Sequence, residues 1–242
     1  MPSIAIETMD ALDIEVVGAD RPHGDPVVVL LHGFDMLPRD LSPLAASLAL
    51  PFRFVLPRAP IDLRVRGMRG CAWWECDDGS QDSSQDVSHD RSEQSDLSNQ
   101  VPEGLAEARI QVAALLGSIK ERYAPRLLVL GGFSQGAMLS LDVALRSDPF
   151  PEALVLLSGT RLAARAWDPL LPRLANQRIF QSHGRGDRDL PFAGAERLHR
   201  SMVDAGAHVT WVPFSGGHET PLVVWRQVRN FLSSLVTTQV HG

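Results

Sequence analysis

The chain has 242 residues, 44% of them hydrophobic, and a formal net charge of -6. That length suits one large α/β domain with a sizeable core, and the acidic balance argues against a nucleic-acid partner. No apolar run approaches a membrane span, and the start, Met1-Pro2-Ser3-Ile4, has neither the basic residues nor the apolar core of a signal peptide, so a cytoplasmic protein is expected.

Leu12 to Val17 reads as a first strand, at a sheet edge. Pro26 to Leu31 is a continuous apolar run, the pattern of a strand buried on both faces, and it ends in His32-Gly33-Phe34-Asp35. A helix is expected from Asp40 to Leu48, and a third strand from Phe52 to Leu56. Pro102 to Tyr123 is the longest periodic segment. Leu105, Ala108, Val112, Leu115, Leu116 and Ile119 share one helical face, with Pro102 near the start. A strand over Leu127 to Leu130 precedes a helix from Met138 to Arg146. Further strands are expected at Ala153 to Leu157, Arg178 to Gln181 and His208 to Phe214, with helices at Pro191 to Asp204 and Pro221 to Leu235. Strands alternating with helices imply a mainly parallel sheet flanked by helices.

Between the apolar run at Leu127 and the helix that follows, Gly132-Phe133-Ser134-Gln135-Gly136 fits G-x-S-x-G, a strand-to-helix elbow that presents a serine hydroxyl at its tip. Glycines on either side let the two arms approach closely. The helix N-terminus behind the serine favours the negative charge of a tetrahedral intermediate.

A serine hydroxyl needs an imidazole to take its proton and an acid to orient that imidazole. In an open α/β sheet such groups belong at the carboxyl ends of the strands, in the order Ser, acid, His. Asp187 and His218 stand in turns after strands in that order, with Asp189 as the competing acid. His32 and His183 precede glycines and are expected to shape turns. The expected oxyanion donors are the N–H of Gln135, next to the nucleophile, and that of Phe34, in the turn after His32-Gly33. Trp73, Trp74 and Leu190 are candidate apolar walls for an acyl group. For the two tryptophans, core packing is an equal alternative.

The segment from Asp77 to Gln100 is rich in Ser, Asp and Gln and is expected to be a mobile acidic loop, with a lid or a metal-binding loop as the alternative. Its acidic spacing matches no calcium loop, and no metal site is expected. Cys71 and Cys76 are too few for a disulfide framework. They read as reduced thiols, with a local bridge as the alternative.

Taken together, Leu31-His32-Gly33-Phe34, Gly131-Gly132-Phe133-Ser134-Gln135-Gly136-Ala137, His183-Gly184-Arg185-Gly186-Asp187 followed by Pro191, and Gly217-His218 resemble the phospholipase/carboxylesterase family, which includes acyl-protein thioesterases. Trp73-Trp74-Glu75 resembles that family's Trp-Phe-Asp element. The resemblance favours Asp187 over Asp189. It implies a single α/β-hydrolase domain without a separate cap, hydrolysing a small-molecule ester or thioester with no cofactor. It implies no integral membrane association and leaves a homodimer open. Lysophospholipid or acyl-protein substrates for the same triad are the near alternative, and a non-catalytic small-molecule binder is the remote one. The chain departs from the family in two places: Phe34-Asp35-Met36 replaces an expected second glycine, and the loop after Trp74 is longer and more acidic.

Overall fold

The computed structural model describes residues 2–76 and 97–238. It opens with strands β1 (Ile4–Met9) and β2 (Leu12–Val17), then β3 (Val27–Leu31), helix α1 (Pro38–Ser47) and β4 (Arg53–Pro57). A two-stranded ribbon, β5 (Ile61–Asp62) and β6 (Cys71–Ala72), follows. After the undescribed stretch come α2 (Leu105–Tyr123), β7 (Leu128–Phe133), α3 (Gln135–Ala144), β8 (Ala153–Leu157) and the short α4 (Ala164–Trp167). The chain continues through β9 (Arg178–Gly184), α5 (Phe192–Asp204), β10 (His208–Phe214) and α6 (Leu222–Thr238).

The main sheet has eight strands in the order β1-β2-β4-β3-β7-β8-β9-β10. From β4 to β10 every pairing is parallel, while β2 is antiparallel to both β1 and β4. The expected mainly parallel sheet is therefore present. The position of the first strand is corrected: β2 lies inside the sheet and β1 forms the edge. The hairpin joining them turns at Asp10 and Ala11, both at positive φ (48° and 63°). That is the two-residue turn that fits strand twist, made without the usual glycine or asparagine, so the sequence carries no turn signal there.

The continuous apolar runs are explained by two cores. Val27, Val29 and Leu31 enter one cluster with residues of α2 and α3, while Val28 and Leu30 enter the other with residues of α1 and α6. The same alternation holds in β8, where Leu154 and Leu156 point one way and Val155 and Leu157 the other. A strand covered on both faces has no polar side to show. The six apolar positions predicted on one face of α2 are all buried. All ten residues of α3 are buried too, which explains why it lacks amphipathic periodicity. Its Asp142 carboxylate is held by Arg109 at 2.9 Å, Arg146 at 2.6 Å and the Trp167 indole at 2.7 Å.

Of the Ser-, Asp- and Gln-rich segment predicted as a mobile loop, residues 77–96 lie outside the described residues. Leu97–Asn99 form one short 3-10 turn, and the Gln100 carbonyl accepts from the Ala163 N–H at 3.0 Å.

Candidate active site

Ser134 sits between β7 and α3 with φ 54° and ψ -118°, a conformation L-residues avoid. The flanking glycines make it attainable. A Cβ on Gly132 or Gly136 would collide with the carbonyl oxygen of Leu31 on the neighbouring strand. The Ser134 N–H is anchored on the Leu157 carbonyl at 2.8 Å, tying the elbow to the end of β8.

The parallel strands deliver Asp187 and His218 to the same edge. His218 Nε2 lies 2.7 Å from Ser134 Oγ, and Nδ1 lies 2.7 Å from Asp187 Oδ2. An ionised carboxylate only accepts, so Nδ1 carries the ring proton and Nε2 is left to accept from the hydroxyl. The ring of His218 rests on Phe133, with centroids 4.9 Å apart. This chain of hydrogen bonds can move a proton from a serine hydroxyl onto an imidazole while a buried anion steadies the resulting cation.

Asp187 is held on all sides. Its Oδ1 accepts from the N–H groups of Asp189 and Leu190, both at 2.9 Å. Its Oδ2 faces His218 and also His183 Nε2 at 3.1 Å. Burial pushes the carboxyl pKa up, but the bonds from His183, His218 and Leu190 outweigh it and hold the group well below the usual carboxylate range. Asp189, the rival acid, is exposed at the cavity wall and donates only its backbone N–H to Asp187. Among the described residues, Asp187, Asp189 and His218 bring ligand-type atoms within 4.8 Å of one another. Both oxygens of Asp187 are already engaged by N–H donors.

Both histidines expected to shape turns are fully buried. His32 does so: Nδ1 donates to the Gly33 carbonyl at 2.8 Å and Nε2 accepts from the Ala59 N–H at 3.0 Å. Burial pushes its pKa down to about 4. His183 does more than shape a turn, because it reaches the acid. Its Nε2 also lies 2.7 Å from the Leu190 carbonyl. The local sequence carries no cue for this, because His183, like His32, ends a buried strand run and precedes a glycine.

The missing second glycine after His32-Gly33 has a physical resolution. Asp35 adopts the left-handed φ of 55° that a glycine would take. Asp is among the few residues that tolerate this region, and here its Oδ1 accepts from the N–H groups of Arg69 at 2.9 Å and Gly70 at 2.7 Å. The turn that carries Phe34 is thereby fastened to the segment leading into β6. Gly70 has no room for a Cβ beside the Asp35 backbone. Gln135, as the first residue of α3, has a backbone N–H with no intrahelical carbonyl to reach. Its side chain has a second job: Oε1 accepts from the Trp73 N–H at 2.8 Å and Nε2 donates to the Trp74 carbonyl at 2.9 Å.

Ser134, His218, Phe34 and Gln135 open onto a cleft of about 900 Å³, lined also by Trp74, Met138, Leu162, Leu190 and Val101, with Glu75, Glu103 and Asp189 as its carboxylates among the described residues. Trp74 and Leu190 thus sit where an acyl wall was expected. Trp73 does not line the cleft; it is 1% exposed, packed on His32 at 5.6 Å between centroids, with its indole N–H on the His32 carbonyl at 2.9 Å. Its nearest role is to brace the turn behind the site. Cys71 is buried and Cys76 is exposed, and no disulfide joins them.

With that geometry in view, the comparisons with known proteins agree with the resemblance read from the motifs. Residues 12–236 match the family model described as Phospholipase/Carboxylesterase. Acyl-protein thioesterase 1 of Gibberella zeae is 27% identical over 186 residues, which are 74% of this chain and 75% of that one. The crystal structure of esterase PE8 superposes with a TM-score of 0.67 at 25% identity, over 88% of this chain and 93% of that one. A carboxylesterase from Mesorhizobium loti shares the fold with a TM-score of 0.74 at 20% identity, over 95% of this chain and 98% of that one. The family model spans nearly the whole length and includes the elbow, the acid turn and the histidine turn, so this chain belongs to the phospholipase/carboxylesterase family of hydrolases.

Proposed function

We propose that the chain is a serine carboxylesterase that hydrolyses carboxylic esters or thioesters through an acyl-enzyme on Ser134. The observation that carries this is the unbroken chain of 2.7 Å contacts from Ser134 Oγ through His218 to Asp187 at the mouth of a cleft with Trp74 and Leu190 in its wall. Ser134 Oγ attacks the acyl carbon as its proton passes to His218 Nε2. The carbonyl oxygen becomes an oxyanion and accepts from the backbone N–H of Gln135 and, with Phe34 supplying the facing turn, from a second N–H. The imidazolium returns its proton to the departing alcohol or thiol. Water, deprotonated by the same imidazole, then attacks the acyl-enzyme, and the carboxylic acid leaves as Ser134 recovers its proton. Nucleophile, base and acid are all side chains of this chain, so the reading asks for no cofactor. Trp74 and Leu190 form the walls for the acyl group, and Trp73 acts behind them.

The same reading takes the chain as one hydrolase domain working in the cytoplasm. Thioester hydrolysis on an acylated protein is the second reading, favoured by the thioesterase relative. The experiment is labelling with a fluorophosphonate probe, followed by hydrolysis rates across p-nitrophenyl esters and matched thioesters of rising acyl length. Labelling at Ser134 with ester turnover is the expected result. A chain that takes no label and turns over no ester is a binder on a hydrolase fold, and the proposal fails.

A further inference from the structure

His183 does not touch the cleft, yet several features converge on it. It is fully buried at the end of β9. Its Nδ1 is buried with no hydrogen-bond partner among the described residues. An orphaned polar atom of this kind destabilises the fold unless the other side of the ring returns more. The other side holds Nε2, 2.7 Å from the Leu190 carbonyl and 3.1 Å from Asp187 Oδ2. A carbonyl and an ionised carboxylate both only accept, so Nε2 carries the proton and shares it between them. The ring plane is set from outside. Phe192 packs on it at 6.1 Å between centroids, and Phe192 is itself held by Trp211 at 5.9 Å and by the Arg185 guanidinium 4.9 Å above its face.

Leu190 closes the arrangement. Its N–H donates to Asp187 Oδ1 while its carbonyl accepts from His183, so acid, turn and imidazole form one hydrogen-bonded ring. Oδ1 is held by backbone donors, whereas Oδ2 has two imidazole donors, His218 and His183. Removing His183 would leave His218 as the single donor to Oδ2, so nothing but the catalytic imidazole itself would set the direction of that oxygen.

We propose that His183 is a positioning residue for the acid, its Nε2–H aiming Asp187 Oδ2 at His218 Nδ1. This rests on the reading of Asp187 as the acid of the triad. Charge-assisted hydrogen bonds of this kind are the strong ones, and losing the donor should lower kcat about ten- to hundred-fold.

The test uses five variants assayed on a short p-nitrophenyl ester, each checked for folding by circular dichroism. His183→Phe keeps a ring and removes the donor. His183→Gln places an amide N–H near the Nε2 position, whereas the shorter His183→Asn does not reach it. His183→Phe combined with Asp187→Asn completes a cycle with the single Asp187→Asn variant. The expected result is a kcat loss of about ten- to hundred-fold in the Phe and Asn variants, recovery to within about three-fold in the Gln variant, and a double variant no worse than Asp187→Asn alone. Equal losses in the Gln and Asn variants, wild-type kcat in the Phe variant, or a double variant that shows the two losses multiplied would overturn it. If the Phe variant does not fold, the contrast between Gln and Asn decides alone. Full activity in Asp187→Asn would be a different failure, that of the acid assignment itself.

Discussion

His32 and His183 occupy the same kind of place in the sequence, each ending a buried strand run and each preceding a glycine, yet their protons sit on opposite nitrogens. Across from His32 Nε2 stands a backbone donor, the Ala59 N–H, so that nitrogen must accept and the proton lies on Nδ1. Across from His183 Nε2 stand a carbonyl and a carboxylate, so that nitrogen must donate. One imidazole braces the turn that carries Phe34, in the half of the site proposed to hold the oxyanion, through neutral bonds. The other holds the half proposed to handle the proton, through a bond to an anion. The partner across the ring decides the tautomer, and the tautomer decides the role. Local sequence cannot distinguish them.

The largest effect that would test the division is Ser134→Ala, which removes the group shared by both halves. Loss of such a nucleophile lowers kcat by about a million-fold in a comparable serine hydrolase. The purified variant should fold and hydrolyse p-nitrophenyl acetate only at the level of trace contamination, and substantial turnover would refute the assignment.

Next comes Asp187→Asn, which strikes the proton-handling half alone. Asn can hold the wrong tautomer of His218 and cannot stabilise the imidazolium, a change that cost about ten-thousand-fold in another triad. The loss should appear in kcat, with KM little changed, in steady-state assays at neutral pH.

The oxyanion half should reveal itself through stability against pH. His32 is buried and neutral, with its pKa depressed to about 4, while in the unfolded chain a histidine titrates near about 6.5. Between those values the unfolded state binds the extra proton. The contribution is therefore complete above about pH 6.5 and is lost as pH falls toward 4, roughly 2 kcal/mol by pH 5. Urea midpoints at pH 7.5 and pH 5 should differ accordingly, and the difference should shrink in His32→Asn, which has no imidazole to protonate. Equal midpoints in the parent protein would mean that His32 is not kept neutral by burial.

Asp35→Ala should loosen the oxyanion turn while leaving the triad intact. It removes the acceptor of the Arg69 and Gly70 N–H groups and puts alanine at a φ of 55°. A roughly ten-fold fall in kcat is expected, equivalent to about 1.4 kcal/mol. Asp35→Gly, which relieves the backbone but not the lost acceptor, should recover part of it. Recovery to the full parent rate in the glycine variant would mean that the carboxylate has no role beyond tolerating the conformation.

The smallest effect belongs to Asp189→Asn. Its carboxylate is exposed on the cleft wall and makes no bond to His218 in the structure. A change of less than about three-fold on neutral esters is expected, the size of a screened surface charge. A loss larger than that of Asp187→Asn would exchange their roles.

The strand runs at Val27, Leu128 and Ala153, the elbow at Ser134 and the order Ser134, Asp187, His218 were all legible in the chain, because continuous burial and a strained turn demand particular residues locally. The strand from Ile4 was not legible, since its turn at Asp10-Ala11 uses positive φ without a glycine. Nor was the second task of Gln135, whose amide reaches across to residues 73 and 74.

What the sequence determined by itself was therefore the covalent logic: which residue types follow which strands, and in what order. What only the tertiary structure decided was the set of partners brought from elsewhere in the chain. Trp73 and Trp74 are adjacent, but one is packed behind the site against His32 while the other faces the cleft. Asp35 stands at a glycine's position because residues 69 and 70 supply donors to it. His183 differs from His32 because β9 ends beside a carboxylate and β3 beside a backbone N–H. Hydrogen bonds depend on distances of a few tenths of an ångström between groups far apart in sequence, and a string of residues specifies those distances only after the sheet has set them.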